Sequence, residues 1–140
     1  MAGNITMASV SNVGTYKPAS KESLRSQIQK KEREISTCKT NISNFNKSLS
    51  YSNKLVSKLN NDQTNLKIVL ENLKKYFVIN KKTGDNGKIE KIISELDKII
   101  KKLNNSIIPE IKRMISEQEK QRDIKQIQLN RLKREYENSL

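Results

Sequence analysis

The chain has 140 residues, with 28 Lys plus Arg against 15 Asp plus Glu, a formal net charge of +13 and no His. Without His it lacks the commonest general base and metal ligand at neutral pH, and its single Cys excludes an internal disulfide or a cysteine-rich zinc site. One domain is the natural expectation at this length.

Residues 1–19 read as a flexible tail: Gly3, Gly14 and Pro18 punctuate small polar residues, and no hydrophobic period holds. A short recognition segment built on Ile5, Met7, Val10, Val13 and Tyr16 is the alternative.

A long helical arm is expected over 20–82. Ser20 fits an N-cap, and Glu22 in the first turn complements the helix dipole. Apolar residues then recur in alternating steps of three and four. Position a is taken by Ile28, Ile35, Ile42, Leu49, Val56, Gln63, Leu70 and Phe77. Position d is taken by Leu24, Lys31, Cys38, Phe45, Ser52, Leu59, Leu66 and Leu73. Only Lys31, Ser52 and Gln63 break the apolar register, so the pattern is that of a coiled coil, with the polar positions fixing register. Asn60-Asn61-Asp62 are poor helix formers, but the heptad phase survives across them and favours a continuous helix.

A turn is expected over 83–88, where Gly84 and Gly87 flank Asp85-Asn86; Gly84 would end the first helix and Asp85 or Asn86 would cap the next. The second arm, 89–140, resumes with Ile89, Ile92 and Ile93, Leu96, Ile99 and Ile100, Leu103 and Ile107. Pro109, preceded by Asn104-Asn105-Ser106, predicts a kink. Beyond it the stripe continues as Ile111, Met114 and Ile115, thins, and returns as Ile124, Ile127, Leu129, Leu132 and Tyr136 in a shifted phase. The expected fold is therefore all-α, a long antiparallel helical hairpin, with folding into a three- or four-helix bundle as the alternative.

Near the turn the apolar stripe is too broad for two helices to cover. Ile68, Val69, Tyr76, Val78 and Ile79 widen it on the first arm, and Ile92, Ile93, Ile99, Ile100, Ile107 and Ile108 on the second. The surplus calls for further helices, from another helical protein, a second copy, or a fold-back of this chain.

Little in the sequence carries chemistry. Glu32 with Glu34, and Glu117 with Glu119, stand two apart and so do not share a helix face. Gly84-Asp85-Asn86-Gly87 lacks the Lys-Ser/Thr ending of a phosphate loop, and Cys38 at a d position reads as a small buried hydrophobe. No enzyme, small-molecule substrate, metal or cofactor is expected. The sharpest charge cluster is a basic tip of Lys74, Lys75, Lys81, Lys82 and Lys88. It either complements a helix C-terminus or offers weak attraction to nucleic acid or an anionic membrane. Lys outnumbers Arg 22 to 6, a balance poorly suited to specific phosphate recognition and in keeping with AT-rich codons.

No segment has the length of uncharged apolar residues that a membrane span needs, and the N-terminus lacks the basic start and apolar middle of a secretory signal. A cytoplasmic protein is expected, or one exported without a cleaved signal.

Leu24-Arg25-Ser26-Gln27-Ile28, Lys31-Glu32-Arg33-Glu34-Ile35, Cys38 and Ile42, with the terminal Ile127-Gln128-Leu129-Asn130-Arg131-Leu132-Lys133-Arg134-Glu135-Tyr136, carry a family resemblance. They are similar to small helical accessory proteins of the type VII (ESX/Yuk) secretion system of Gram-positive bacteria, the YwqH-like group of WXG-superfamily relatives. The chain departs from that pattern in having no Trp: Gly84 and Gly87 lie where a Trp-x-Gly turn belongs. Tyr136 is followed four residues later by Leu140 and not by an acid. The resemblance implies a non-enzymatic partner, chaperone or targeting factor for a larger secreted effector of the LXG type. Two other readings stand beside it: a homo-oligomeric structural coiled coil, such as a phage or cytoskeletal spacer, and a basic adaptor for nucleic acid or anionic membrane.

Overall fold

A computed structural model describes residues 20–76 and 84–139. The tail at 1–19 and the readings placed on Phe77, Lys81 and Lys82 fall outside the described residues. The fold is all-α. Helix α1 spans Lys21–Tyr76, α2 Gly84–Lys102, a π turn Leu103–Ile107, and α3 Ile108–Asn138, with no strand among the described residues.

Helix α1 starts where capping chemistry places it. The Ser23 amide donates to Ser20 Oγ at 3.1 Å, and the Leu24 amide closes the first turn on the Ser20 carbonyl at 2.9 Å. The helix passes through Asn60–Asp62 without a break. Local side-chain bonds span that weak point: Lys58 pairs with Asp62 at 3.1 Å, and the Thr64 hydroxyl donates to the Asn60 carbonyl at 3.0 Å. The turn expected over 83–88 is not found at 84–88, because Gly84 through Lys88 are already helical; Thr83 lies outside the described residues. Gly84 opens α2 instead of ending α1; the amides of a first turn need no carbonyl partner within the helix, so poor helix formers are tolerated there.

The chain divides into two compact units. Unit 1 comprises the described residues 20–36 and 123–139, and unit 2 the described residues of 37–122. In unit 1 the start of α1 meets the end of α3 antiparallel: Arg25 reaches Tyr136, Lys31 reaches Gln128, and Glu34 receives Lys125. Leu24, Ile35 and Leu129 are buried there. In unit 2 the rest of α1 meets α2 and the start of α3, also antiparallel, through Asn41 with Gln118, Gln63 with Ile93 and Lys74 with Glu90. Its buried apolar side chains include Cys38, Leu70, Ile100, Leu103, Ile108 and Ile111.

The heptad read from the sequence is the buried face. From Leu24 to Leu73, every a and d position of α1 is buried or half-buried. That includes the polar ones, with Ser52 and Gln63 each under a tenth exposed.

The kink expected near Pro109 takes the form of a single π turn, in which the Ile108 amide donates to the Leu103 carbonyl, five residues back. A π turn inserts one residue into the helical period. Before it the inward residues of α2 are Ile89, Ile93, Leu96, Ile100 and Leu103; after it they are Ile108, Ile111 and Ile115, and later Leu129, Leu132 and Tyr136. The step from Leu103 to Ile108 is five residues, and the three-four alternation resumes on its far side. A regular helix would instead have turned Ile107, Glu110, Met114, Glu117, Gln121, Ile124, Gln128, Arg131 and Glu135 inward. That face is mostly polar or charged. The π turn exchanges it for the apolar one, and its wider ladder accepts the proline ring and missing amide of Pro109.

Candidate interaction surface

The residues that sequence reasoning assigned to helix pairing are engaged within the chain. Ile35, Leu70, Ile100 and Leu103 are buried. Ile28, Ile42, Phe45, Leu49, Val56, Leu59, Leu66, Leu73, Ile89, Ile93 and Leu96 are half-buried. Phe77 lies outside the described residues. A surface for another molecule must therefore come from the positions that flank the seam.

In unit 2 the two flanks differ in chemistry. One is formed by the residues that follow each d position, and it is polar, with asparagines and charged side chains. Lys74 of α1 pairs with Glu90 of α2 at 3.4 Å. Asp97 lies among Lys101, Gln63 and Lys67, and the hydrogen bond from Lys101 leads in holding its carboxyl below the usual carboxylate range. The other flank is formed by the residues that immediately precede the a positions from Val56 onward; apart from Asp62 before Gln63, which is half-buried and paired with Lys58, it is apolar, with Val69 before Leu70, Ile92 before Ile93, Ile99 before Ile100, and Ile107 before Ile108. All four side chains are exposed, Ile92 and Ile99 by about half, at 48% and 47%. The half-buried Leu55 and Met114 extend the same flank. In an antiparallel pair, like flanks of the two helices lie side by side, so these residues make one strip, apolar along α2 and interrupted on α1 by Asp62.

Such a strip is more than scattered surface hydrophobicity, which is ordinary on soluble proteins. Ile92, Ile99 and Ile107 recur at one turn of the heptad, and the extra residue between the last two is the one the π turn absorbs. The sequence had flagged Ile68, Val69, Ile92, Ile99 and Ile107 as surplus. It had not separated them from Ile93, Ile100 and Ile108, which face inward, because that distinction depends on the exact phase of the seam.

The basic tip is partly neutralised. Lys74 is paired with Glu90, and Lys74, Lys75 and Lys88 are exposed, while Lys81 and Lys82 lie outside the described residues. Elsewhere in unit 2 an open groove of about 620 Å³ is lined by Lys39, Ile42, Ser43, Asn46, Lys47, Ser50 and Arg122. Its lining holds cations and hydroxyls but no carboxylate or thiol, so it offers weak attraction for anions and no general base. Cys38 is buried. No cluster of metal-ligating side chains occurs among the described residues. No described helix is long and apolar enough to cross a membrane.

Unit 1 carries a polar cluster across its seam. Lys31 Nζ donates to Glu34 Oε1 at 3.1 Å and to Gln128 Oε1 at 3.0 Å, and Lys125 Nζ donates to the same Glu34 oxygen at 3.3 Å. Partial burial pushes the Glu34 carboxyl upward, but the bonds from Lys31 and Lys125 outweigh it and the net shift is downward. At the end of the unit, Arg25 Nη2 donates to the Tyr136 hydroxyl at 2.8 Å, with Lys21 4.9 Å and the Arg25 guanidinium 5.7 Å from the ring centre.

No family model, curated protein or solved structure matches the chain.

Proposed function

We propose that the chain is a non-enzymatic helical interaction protein that docks further helices on the apolar flank of unit 2. The single observation behind this reading is the asymmetry of that unit. One flank is closed by ion pairs at Lys74–Glu90 and around Asp97, while the other, beside the Lys58–Asp62 pair on its α1 side, presents Val69, Ile92, Ile99 and Ile107 to water. Burial of apolar side chains at about 25 cal/mol per Å² is the driving force for such docking. Helix-in-groove recognition uses anchors spaced as these are.

Within this reading, the resemblance of residues 24–42 and 127–136 to type VII secretion accessory proteins suggests the partner class. The chain would act as a partner, chaperone or targeting factor for the helical N-terminal domain of a larger LXG-type effector. Co-expression with such a domain tests it. The wild-type chain should co-purify with the domain, and Ile99→Asp should lose it while circular dichroism still reports a folded helical protein. Retention of the domain by both Val69→Asp and Ile99→Asp would overturn the reading.

A further inference from the structure

The apolar flank carries a charge pattern that selects its occupant. One helical position outward from Ile92, Ile99 and Ile107 runs a column of alternating sign: Lys88, Glu95, Lys102 and, beyond the π turn, Glu110. All four are exposed. Reversed end for end about Ile99, the column becomes its own complement, with Lys88 opposite Glu110 and Glu95 opposite Lys102. The apolar residues obey the same reversal, since Ile92 and Ile107 lie one heptad to either side of Ile99 once the inserted π residue is counted. A parallel arrangement in register would set like charge on like charge.

We infer that a second copy of this chain covers the flank, its α2 antiparallel to the first about a twofold axis at Ile99, so that Glu95 of each protomer meets Lys102 of its partner. The contact is isologous, as closed twofold dimers require. Ile99 packs on Ile99 of the partner, Ile92 on Ile107, and the charges line the rim, where they fix direction more than affinity. Existing local pairs are compatible with this. Glu95 holds Lys98 in an exposed pair at 3.4 Å, and Glu110 holds Arg113 at 2.7 Å, leaving each carboxylate with lone pairs for a second donor. The inference rests on the proposed role of the flank as a helix-docking surface, and it names the occupant in the absence of any other protein.

The test uses the full chain. Light scattering on the purified protein should give twice the 16.1 kDa chain mass. Glu95→Lys and Lys102→Glu should each weaken the dimer by about tenfold, because twofold symmetry repeats every changed contact. The double variant Glu95→Lys with Lys102→Glu should restore it. Ile99→Cys should form an intermolecular disulfide under mild oxidation, since a residue on the axis meets itself, whereas Ile127→Cys, exposed in unit 1, should not. A monomer at all accessible concentrations, failure of the double variant to restore the dimer, or equal crosslinking at both cysteines would overturn the inference. A monomeric chain whose Ile99→Asp variant still loses the effector domain would sink the dimer and leave the docking reading standing. A charge-reversible dimer that never binds an effector domain would do the opposite to the LXG assignment.

Discussion

The two units solve the same problem, closing two antiparallel helices, with different materials. Unit 1 buries Leu24, Ile35 and Leu129, half-buries Ile28, Leu132 and Tyr136, and adds across its seam a cluster of Lys31, Glu34, Lys125 and Gln128 linked by hydrogen bonds. Unit 2 buries Leu70, Ile100, Leu103, Ile108 and Ile111 and still has isoleucines left over on one flank. A polar seam is selective, because each buried donor needs its acceptor and a wrong neighbour leaves it unsatisfied. An apolar flank is permissive: any helix with a matching ridge lowers its free energy there. The contrast separates a segment closed on itself from the one proposed to accept another helix.

The comparison breaks most sharply if helical phase is altered. Deleting Gln118 rotates every later residue by about 100° around the helix axis. It puts Asp123, Gln126, Asn130, Lys133 and Glu137 where Arg122, Lys125, Leu129, Leu132 and Tyr136 now face α1. The seam of unit 1 loses its apolar side chains at a cost of about 4 kcal/mol or more. Hydrogen exchange should then show the amides of 20–36 and 123–139 unprotected while those of unit 2 stay protected. Deleting Asn105 together with Pro109→Ala removes instead the surplus residue of the π turn and keeps the phase on both sides. That variant should remain within about 1 kcal/mol of the parent, since a regular helix of alanine-compatible geometry replaces the turn. Equal damage from the two deletions would show that phase is not what the π turn supplies.

Gln63 sharpens the comparison from the other side, as a polar residue inside the apolar unit. Its amide donates to the Ile93 carbonyl at 3.1 Å, an oxygen in the interior of α2. Gln63→Leu removes this donor and the bond Gln63 gives Asp97, which keeps Lys101, and adds apolar contact with the seam. Unfolding by denaturant should show stabilisation of about 1 kcal/mol. If register is the reason for the polar residue, the same variant should broaden the backbone resonances around 59–66 and 93–100 as alternative alignments become populated.

Most of this architecture was legible in the sequence, for an identifiable reason. The three-four alternation from Leu24 to Leu73 is carried by side chains whose burial depends only on helical geometry, so even Lys31, Ser52 and Gln63 could be placed on the inner face. The N-cap at Ser20 was readable because its chemistry is local. The start of α2 was misplaced because Gly-Asp-Asn-Gly suits both a turn and an unpaired first helical turn. The π turn was foreshadowed by the phase shift near Pro109, but a shift alone does not say whether a kink, a break or one inserted residue supplies it. For the same reason the outward Ile92, Ile99 and Ile107 could not be told from their inward neighbours Ile93, Ile100 and Ile108. Adjacent isoleucines differ by one position, and the seam decides which turns in. Ile124 and Ile127, counted as stripe residues from sequence, are both exposed: the π turn moves the stripe from Ile124 to Lys125, and Ile127 lies on the inward face in neither phase.

Acid should loosen unit 1 before unit 2. The folded state holds the Glu34 carboxyl below its ordinary range, so its charged form contributes stability that is fully present above that range. The contribution is lost as pH falls through the depressed folded value. Asp97 and Glu110 in unit 2 are lowered too, by Lys101 and Arg113, but both pairs are solvent-exposed and carry little weight. Hydrogen exchange in the acid range should therefore show earlier loss of protection at 31–36 and 123–129 than across α2. Glu34→Gln should flatten that difference. Simultaneous loosening of both units would mean that the Lys31–Glu34–Lys125 cluster does not hold unit 1 closed.

The smallest expected effect lies at Tyr136, and it divides the aromatic contact of unit 1 into its parts. The hydroxyl accepts one hydrogen bond, from Arg25 at 2.8 Å, while the ring face receives Lys21 and Arg25 at cation–π distances. The Arg25 bond is the leading reason the phenol is shifted toward ionisation, but it lies at an exposed site where water replaces a lost partner at little cost. Tyr136→Phe should thus leave the thermal midpoint almost unchanged, whereas Tyr136→Ala, which also removes an inward-facing ring, should lower it measurably. Equal losses from the two variants would assign the closure of this end to the hydroxyl bond. A loss confined to the alanine variant assigns it to the ring, and so ties even the polar unit to the burial of carbon at its inward positions.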